Sequence, residues 1–458
     1  MSDLSTEDRD RPAPLCRFNL ARLVEPDFFF WATGIEDTFI VDPHRGTGRI
    51  LDEYALTQHY EHLEDDIELG ASLGVAYMRY GIPWYRIEPS PDRFDFDLAD
   101  RALGRLLDSG VQPIVDLIHY GTPHWLEGSF ANPEYPERMA QFARRVAERF
   151  QGRIFWYTPL NEPRITAYYC GKLGWWPPYM RSWRGFIQVM LSVCRGIVLT
   201  QEALRSVDDR IVVAHVDATD SFTAIEESGR EAAELRQAIV FLALDLITGR
   251  VDDDHPLTDW LIRHGVKPEA LSWFRERAVD LDVLGLNLYP MFTDKFVARR
   301  GTRLRIRMRY SDGGLVERLA HAYWHRYRTP LFISETASIP RRRGEWMDQS
   351  IEAVRKARAE GIPVCGYTWW PLFALVGWAY RQGGGDLRRY LLEFGLWDLE
   401  AEDGNLIRKE TPLAERYRDV VGRGSECVGS LRSEAGSPIR PTPQGGVGSS
   451  VEGLRSEP

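Results

Sequence analysis

Short apolar runs and amphipathic stretches alternate along most of this chain. Phe28–Thr33 is the first run. Val75–Arg79 follows Leu63–Leu73, where Leu63, Ile67 and Leu73 suggest one helical face. Gln112–His119 follows Ala99–Asp108. Ile154–Leu160 follows Glu137–Phe150, in which Met139, Phe142, Val146 and Phe150 step by three and four. Ile211–His215 follows a long helical stretch, Trp183–Ser206. Leu281–Leu286, Leu331–Ser334 and Val364–Trp369 complete eight candidate strands. Each pair of runs is separated by enough chain for a helix. Such alternation predicts a parallel sheet with helical crossovers. Eight units predict an α/β fold, a single closed (β/α)8 TIM barrel. A doubly wound open sheet is the alternative, but no Gly-rich phosphate loop follows the first run.

The remaining segments carry weaker patterns. Asp217–Ala278 reads as mostly helical, with a break at Asp252–Pro256. In Arg299–Arg309, arginines alternate with Leu304, Ile306 and Met308, which predicts an exposed strand or hairpin. Residues 1–22 read as a flexible leader and 23–423 as the catalytic barrel. Residues 424–458 turn to Gly, Ser, Pro and Glu, too polar to offset chain entropy, and read as a disordered tail.

Composition fits one large globular unit. The chain has 458 residues, 44% of them hydrophobic and 27% charged. Its net charge of −10 argues against nucleic acid or an anionic membrane as partner. No apolar run looks long enough for the roughly 20 residues of a membrane helix. The polar N-terminus is unlike a signal peptide. Five scattered cysteines without metal-ligand spacing suit reduced thiols and a cytoplasmic protein. Fifteen tryptophans serve either a large core or apolar platforms for sugar rings.

The chemistry stands at the strand ends. Arg79 closes the second run, His119 the third and Asn161-Glu162 the fourth. Asn287 and Tyr289 close the sixth, Glu335 the seventh and Trp369-Trp370 the eighth. In a barrel all of these converge on one rim. Singly, each has an ordinary structural explanation; jointly they form a constellation. Two carboxylates at such a rim are the minimum equipment for cleaving a glycosidic bond.

These segments resemble glycoside hydrolase family 1, the β-glucosidase family of retaining (β/α)8 glycosidases. Thr158-Pro159-Leu160-Asn161-Glu162-Pro163 resembles the family's Thr-x-Asn-Glu-Pro, with one extra residue after Thr158. Ile333-Ser334-Glu335-Thr336-Ala337 loosely matches its Ile/Val-Thr-Glu-Asn-Gly. Phe29–Thr33, Met78–Pro89, His119–Leu126, Asn287–Tyr289 and Phe394–Leu396 follow in the family's order. Two positions depart. The family's sugar-binding Gln after Ala32-Thr33 is missing, and Glu36 or Asp37 stands nearest. Its second sugar-binding residue, a Glu, is here Gly377. The resemblance also implies a cis peptide after Trp370, which Pro371 would accept readily.

The resemblance implies roles. Glu335 is the expected nucleophile, ionised at neutral pH beside Arg79 and Tyr289. Glu162 is the expected acid/base, its pKa raised partly by the charge of Glu335. Asn161 and Asn287 support catalysis, with Asn161 on the sugar 2-hydroxyl. His119, Trp125, Trp370, Trp378, Glu36 and Asp37 are expected to bind substrate, with Trp370 as the platform. The expected substrate is a β-linked glycoside or oligosaccharide, and neither metal nor organic cofactor is expected. A transglycosidase or a catalytically silent carbohydrate-binding barrel are the alternatives.

Overall fold

The computed structural model describes residues 20–425, apart from residue 302. Residues 1–19 of the expected leader and 426–458 of the expected tail lie outside the described residues. The expected boundaries shift at both ends. Leu20–Val24 forms a 3-10 turn that buries Leu23. Helix Pro412–Ser425 runs into the segment expected to be disordered.

All eight expected strands form, and they close into one parallel barrel. They are β1 (Phe30–Gly34), β2 (Tyr77–Gly81), β3 (Gln112–Asp116) and β4 (Trp156–Thr158). β5 (Val212–Ala218), β6 (Val283–Asn287), β7 (Leu331–Glu335) and β8 (Val364–Trp369) complete the circuit, with β8 pairing back onto β1. The chain forms a (β/α)8 TIM barrel, and the open-sheet alternative falls away.

The barrel interior is filled rather than hollow. The Phe30 ring meets Tyr77 at 4.8 Å, Trp156 at 5.6 Å and Phe332 at 5.7 Å between centroids. Side chains alternate along a strand, so Arg79 lies on the same side of β2 as Tyr77, two residues further toward the rim. Outside, helices present one apolar stripe each. Tyr135–Arg149 buries Met139, Phe142, Ala143 and Val146 at steps of three and four. It packs against Trp183–Val207, whose N-terminus is capped by Ser182 accepting from the Gly185 amide. That second helix corrects one expectation. By length and apolarity it could cross a membrane, but 61% of its most apolar stretch is buried within the fold.

The Asp217–Ala278 segment is less helical than expected. β5 runs to Ala218 and a further strand, Ser221–Ala224, precedes the helices Arg230–Ile247, Thr258–Arg263 and Pro268–Glu276. The basic stretch is one arm of a hairpin, Asp294–Arg300 with Arg303–Arg309. Its first arm pairs in parallel with Ser221–Ala224.

Candidate active site

Three local devices aim the functional groups into the barrel mouth. The first is a register shift in β7 between Ile333 and Glu335, where the strand pairs with β6. Regular alternation from inward-facing Phe332 would turn Glu335 outward; the irregularity turns it in. The second is the backbone of Glu162, which holds φ 49°, an uncommon region for a side-chain-bearing residue. Its amide donates to Val216 and that of Asn161 to Ile118, so the β4 end is fixed to both neighbouring strands. The third lies after β3. There Tyr120 takes φ 68°, and Gly121 follows where a Cβ would fall 1.6 Å from the Phe39 carbonyl oxygen. Only glycine fits that approach.

Arg79 organises the site. It is fully buried. One guanidinium nitrogen donates to Glu335 Oε1 at 2.8 Å and to the Ser334 carbonyl at 3.0 Å. The other donates to Asp116 at 2.5 Å and to Asn161 Oδ1 at 3.2 Å. Asn287 Nδ2 bridges Asn161 Oδ1 at 3.1 Å and Glu162 Oε1 at 2.9 Å. Ser334 fixes that amide by donating to Asn287 Oδ1 at 2.6 Å. Tyr289 donates to Glu335 Oε2 at 2.9 Å. The two glutamates are therefore held in one continuous network. Because Asn161 Oδ1 accepts twice, its amide nitrogen must face His119 Nε2, at 3.0 Å. His119 Nδ1 in turn meets Asp37 at 2.6 Å.

Burial pushes Glu335 up to about 8, with the charge of Glu162 adding to it and Arg79 opposing. That rise opposes the expected ionisation, which the donors Arg79 and Tyr289 favour. Glu162 is also raised, and burial is the cause; hydrogen bonds from Tyr120 and Asn287 oppose it. The physical reason is dryness, since Glu162 and Glu335 are only 6% and 4% exposed. Asp116 lies below the ordinary carboxylate range: burial raises it, but Arg79, His119 and Thr158 together outweigh that.

The residues expected to bind substrate separate into groups. Glu36 accepts from the Trp370 indole at 3.0 Å and from Thr38 at 2.6 Å, and lies 3.8 Å from His119. Asp37 is fully buried behind His119, against Gly81, and orients the imidazole instead. Trp370 precedes Pro371 across a cis bond but is fully buried, not an open platform. The absent side chain of Gly34 admits it, since a Cβ there would sit 2.2 Å from the indole. Trp378 packs with Tyr120, Tyr169 and Trp176 at the mouth. Trp125 stands apart: its indole donates to the Glu88 carbonyl and meets the edge of Trp84. A side chain at Gly377 would meet Leu392 and Tyr390 at 3.3 Å.

Four groups at the site escaped the sequence reading. Asp116 carried a signal, a lone acid inside an apolar run. Tyr120, donating to Glu162 Oε2, carried none, because its role depends on its backbone turn. Trp176 belongs to the loop between the helical turn Tyr168–Leu173 and the helix Trp183–Val207, with no pattern to mark it. Glu53 accepts from the Val376 amide at 3.0 Å, beside Gly377, and its other oxygen is buried without a hydrogen-bond partner. Burial, then the charge of Glu36, pushes its carboxyl well above the usual range. Glu36, Asp37 and His119 also form a cluster of metal-ligating types. Within it His119 Nδ1 lies 2.6 Å from Asp37, His119 Nε2 lies 3.0 Å from the Asn161 amide, and Glu36 accepts from Trp370.

The sequence profile of Glycosyl hydrolase family 1 matches residues 32–243, which span β1 to β5. Over that stretch the chain is similar to glycosyl hydrolase family 1. The bifunctional β-D-glucosidase/β-D-fucosidase of Bifidobacterium breve is 34% identical over 147 residues, covering 29% of this chain and 31% of that protein. Beta-glucosidase A of Thermotoga maritima is 29% identical over 157 residues, covering 32% and 35%. These matches thus span about a third of the relatives' lengths. The solved family 1 β-glucosidase of Thermotoga maritima shares the fold, with a TM-score of 0.75 at 21% identity, over 87% of this chain and 98% of that one. The two glutamates of this chain stand at the ends of β4 and β7, on one rim of the barrel.

Proposed function

We propose that this chain is a retaining β-glycosidase. Glu335 attacks the anomeric carbon and forms a glycosyl ester. Glu162 gives its proton to the departing oxygen, then takes one from the incoming water, whose oxygen completes the product. Arg79 and Tyr289 stabilise the ionised nucleophile, and Asn161 lies beside Glu162 where a sugar 2-hydroxyl would bind. The observation that carries this reading is the network joining Glu335, Arg79, Asn161, Asn287 and Glu162 at the barrel rim. Its test is turnover of aryl β-glycosides, lost in Glu335→Ala and partly restored by azide.

The glycone differs from glucose in its fit. Glu36 takes the part of the missing Gln, because it faces His119 and Trp370 while Asp37 lies behind. With Gly377 in place of a carboxylate, the outer hydroxyls lose a strong partner. Aryl β-glucosides are therefore weaker substrates than another β-glycoside, one altered at its outer hydroxyls. The Bifidobacterium relative, named for both glucosidase and fucosidase activity, makes 6-deoxy sugars the first to try.

Transglycosylation is the second reading, favoured by the aromatic wall of Tyr120, Tyr169, Trp176 and Trp378 beside Glu162. An alcohol acceptor that outcompetes water would establish it. Hydrolysis with equal rates in its presence would exclude it. Three buried free thiols, Cys170, Cys194 and Cys365, suit the reducing cytoplasm as location.

A further inference from the structure

A hollow of about 280 Å³ lies beside the aromatic wall, lined by His44, Arg45, Trp175, Tyr179, Arg181 and Gln382, together with Gly174. Its charge is one-sided. Neither Arg45 nor Arg181 has an ion-pair partner among the described residues. Asp42, at the edge, is already engaged by the Tyr179 hydroxyl and lies 3.8 Å from Arg381.

The hollow has a rigid back. Arg381 is fully buried and donates to the Trp175 carbonyl at 2.9 Å, the Asp42 carbonyl at 2.8 Å and the Tyr179 hydroxyl at 2.7 Å. The clamped Tyr179 ring carries the Arg45 guanidinium 5.2 Å from its centroid. Gly174 admits Arg181, since a Cβ there would lie 2.6 Å from the arginine Cγ. Trp175 is 45% exposed, a large indole open to an apolar ring.

Position ties the hollow to the leaving group. Trp176, next to Trp175, meets Tyr120 at 5.1 Å and Trp378 at 5.0 Å. Tyr120 donates to Glu162. A glycosidase protonates its leaving group, so the aglycone lies on the Glu162 side of the scissile bond. One indole then separates that side from the hollow. We infer that this hollow binds an anionic aromatic aglycone, with the carboxylate on Arg45 and Arg181 and the ring on Trp175. The inference rests on the glycosidase reading for its place in the reaction, but the pocket itself can be tested without turnover.

The full chain is titrated with p-hydroxybenzoate and with its uncharged amide, following tryptophan fluorescence. The acid binds about tenfold more tightly, as charge-assisted pairing requires. The Arg45→Gln/Arg181→Gln variant loses the preference, and Arg45→Lys/Arg181→Lys keeps part of it. Circular dichroism checks that each variant folds. Equal binding of acid and amide, or a preference that survives both Gln substitutions, overturns the inference. Aryl β-glycosides bearing a ring carboxylate or carboxamide then place the pocket: kcat/KM favours the acid in the native protein, and the ratio collapses in the Gln variant. A ratio unmoved by the Gln variant also overturns the aglycone assignment. Benzoate preference without turnover of any glycoside leaves the anion pocket standing and removes the glycosidase reading.

Discussion

The Tyr120 hydroxyl donates to Glu162 Oε2, an oxygen of the proposed acid/base. A donated hydrogen bond favours the ionised carboxylate, so it works against the proposed acid's task. A glycosidic oxygen displacing Tyr120 removes that donor. Glu162 then binds its proton more tightly. Tyr120→Phe should raise the Glu162 pKa. Protonated Glu162 is the active form, so the alkaline limb of kcat/KM moves upward, by about one pH unit for a bond of this kind. A pH profile on an aryl glycoside with a poor leaving group reads this directly. A limb that stays put or moves down contradicts the role given to Tyr120.

Tyr289 acts on the other carboxylate. It donates to Glu335 Oε2 at 2.9 Å and stabilises the charged form. Removing it in Tyr289→Phe raises the Glu335 pKa further, and the acid limb of the same profile should move up. A bond to a charged group contributes about 1.5–3 kcal/mol, so kcat should fall by roughly ten- to a hundredfold. Unchanged kcat and acid limb would show that Tyr289 does not support the nucleophile.

Stability should carry the same signature. The folded protein holds the Glu335 proton up to about pH 8, whereas the unfolded chain releases it near the ordinary 4.5. Between those values the native state binds more protons, so Glu335 makes stability fall as pH rises. Glu335→Gln removes the titration. Thermal unfolding should show the native protein losing stability relative to the variant from pH 5 to 8. Parallel curves would mean that Glu335 is not raised.

Glu36 and Glu162 are separable by substrate. Glu162→Ala should spare activated aryl leaving groups far more than alkyl ones, because only the latter need protonation. Glu36→Ala should lower kcat/KM on all leaving groups alike and change the ranking of sugars, with Glu36→Gln recovering part of the loss. Equal losses on activated and alkyl leaving groups in Glu162→Ala, or an unchanged sugar ranking in Glu36→Ala, would count against these assignments.

Much of this was legible in the chain, for identifiable reasons. The eight strands were visible because a buried parallel strand is a short apolar run and its crossover helix is periodic. Arg79, Asn161, Glu162, Asn287, Tyr289 and Glu335 were visible because polar residues ending such runs are rare. What the pattern could not carry was direction and depth. Trp125 looks equivalent to Trp378 in sequence, yet it turns outward to Glu88. Trp370 looks like a platform, yet the missing Cβ of Gly34 lets it sink. Burial of Glu335, and hence its raised pKa, follows from the closed rim and not from Ile333–Ala337. Tyr120 and Glu53 reach the site from loop and helix positions whose sequence carries no period.

The central claim is that Glu335 becomes covalently glycosylated. A 2-deoxy-2-fluoro β-glycoside with a good leaving group slows the second step and traps that ester. Mass spectrometry of the peptides should find one added fluorosugar on Glu335, and none in Glu335→Gln. The released sugar from an ordinary substrate should retain the β configuration by NMR. A label on any other residue, or an inverted product, would contradict the account.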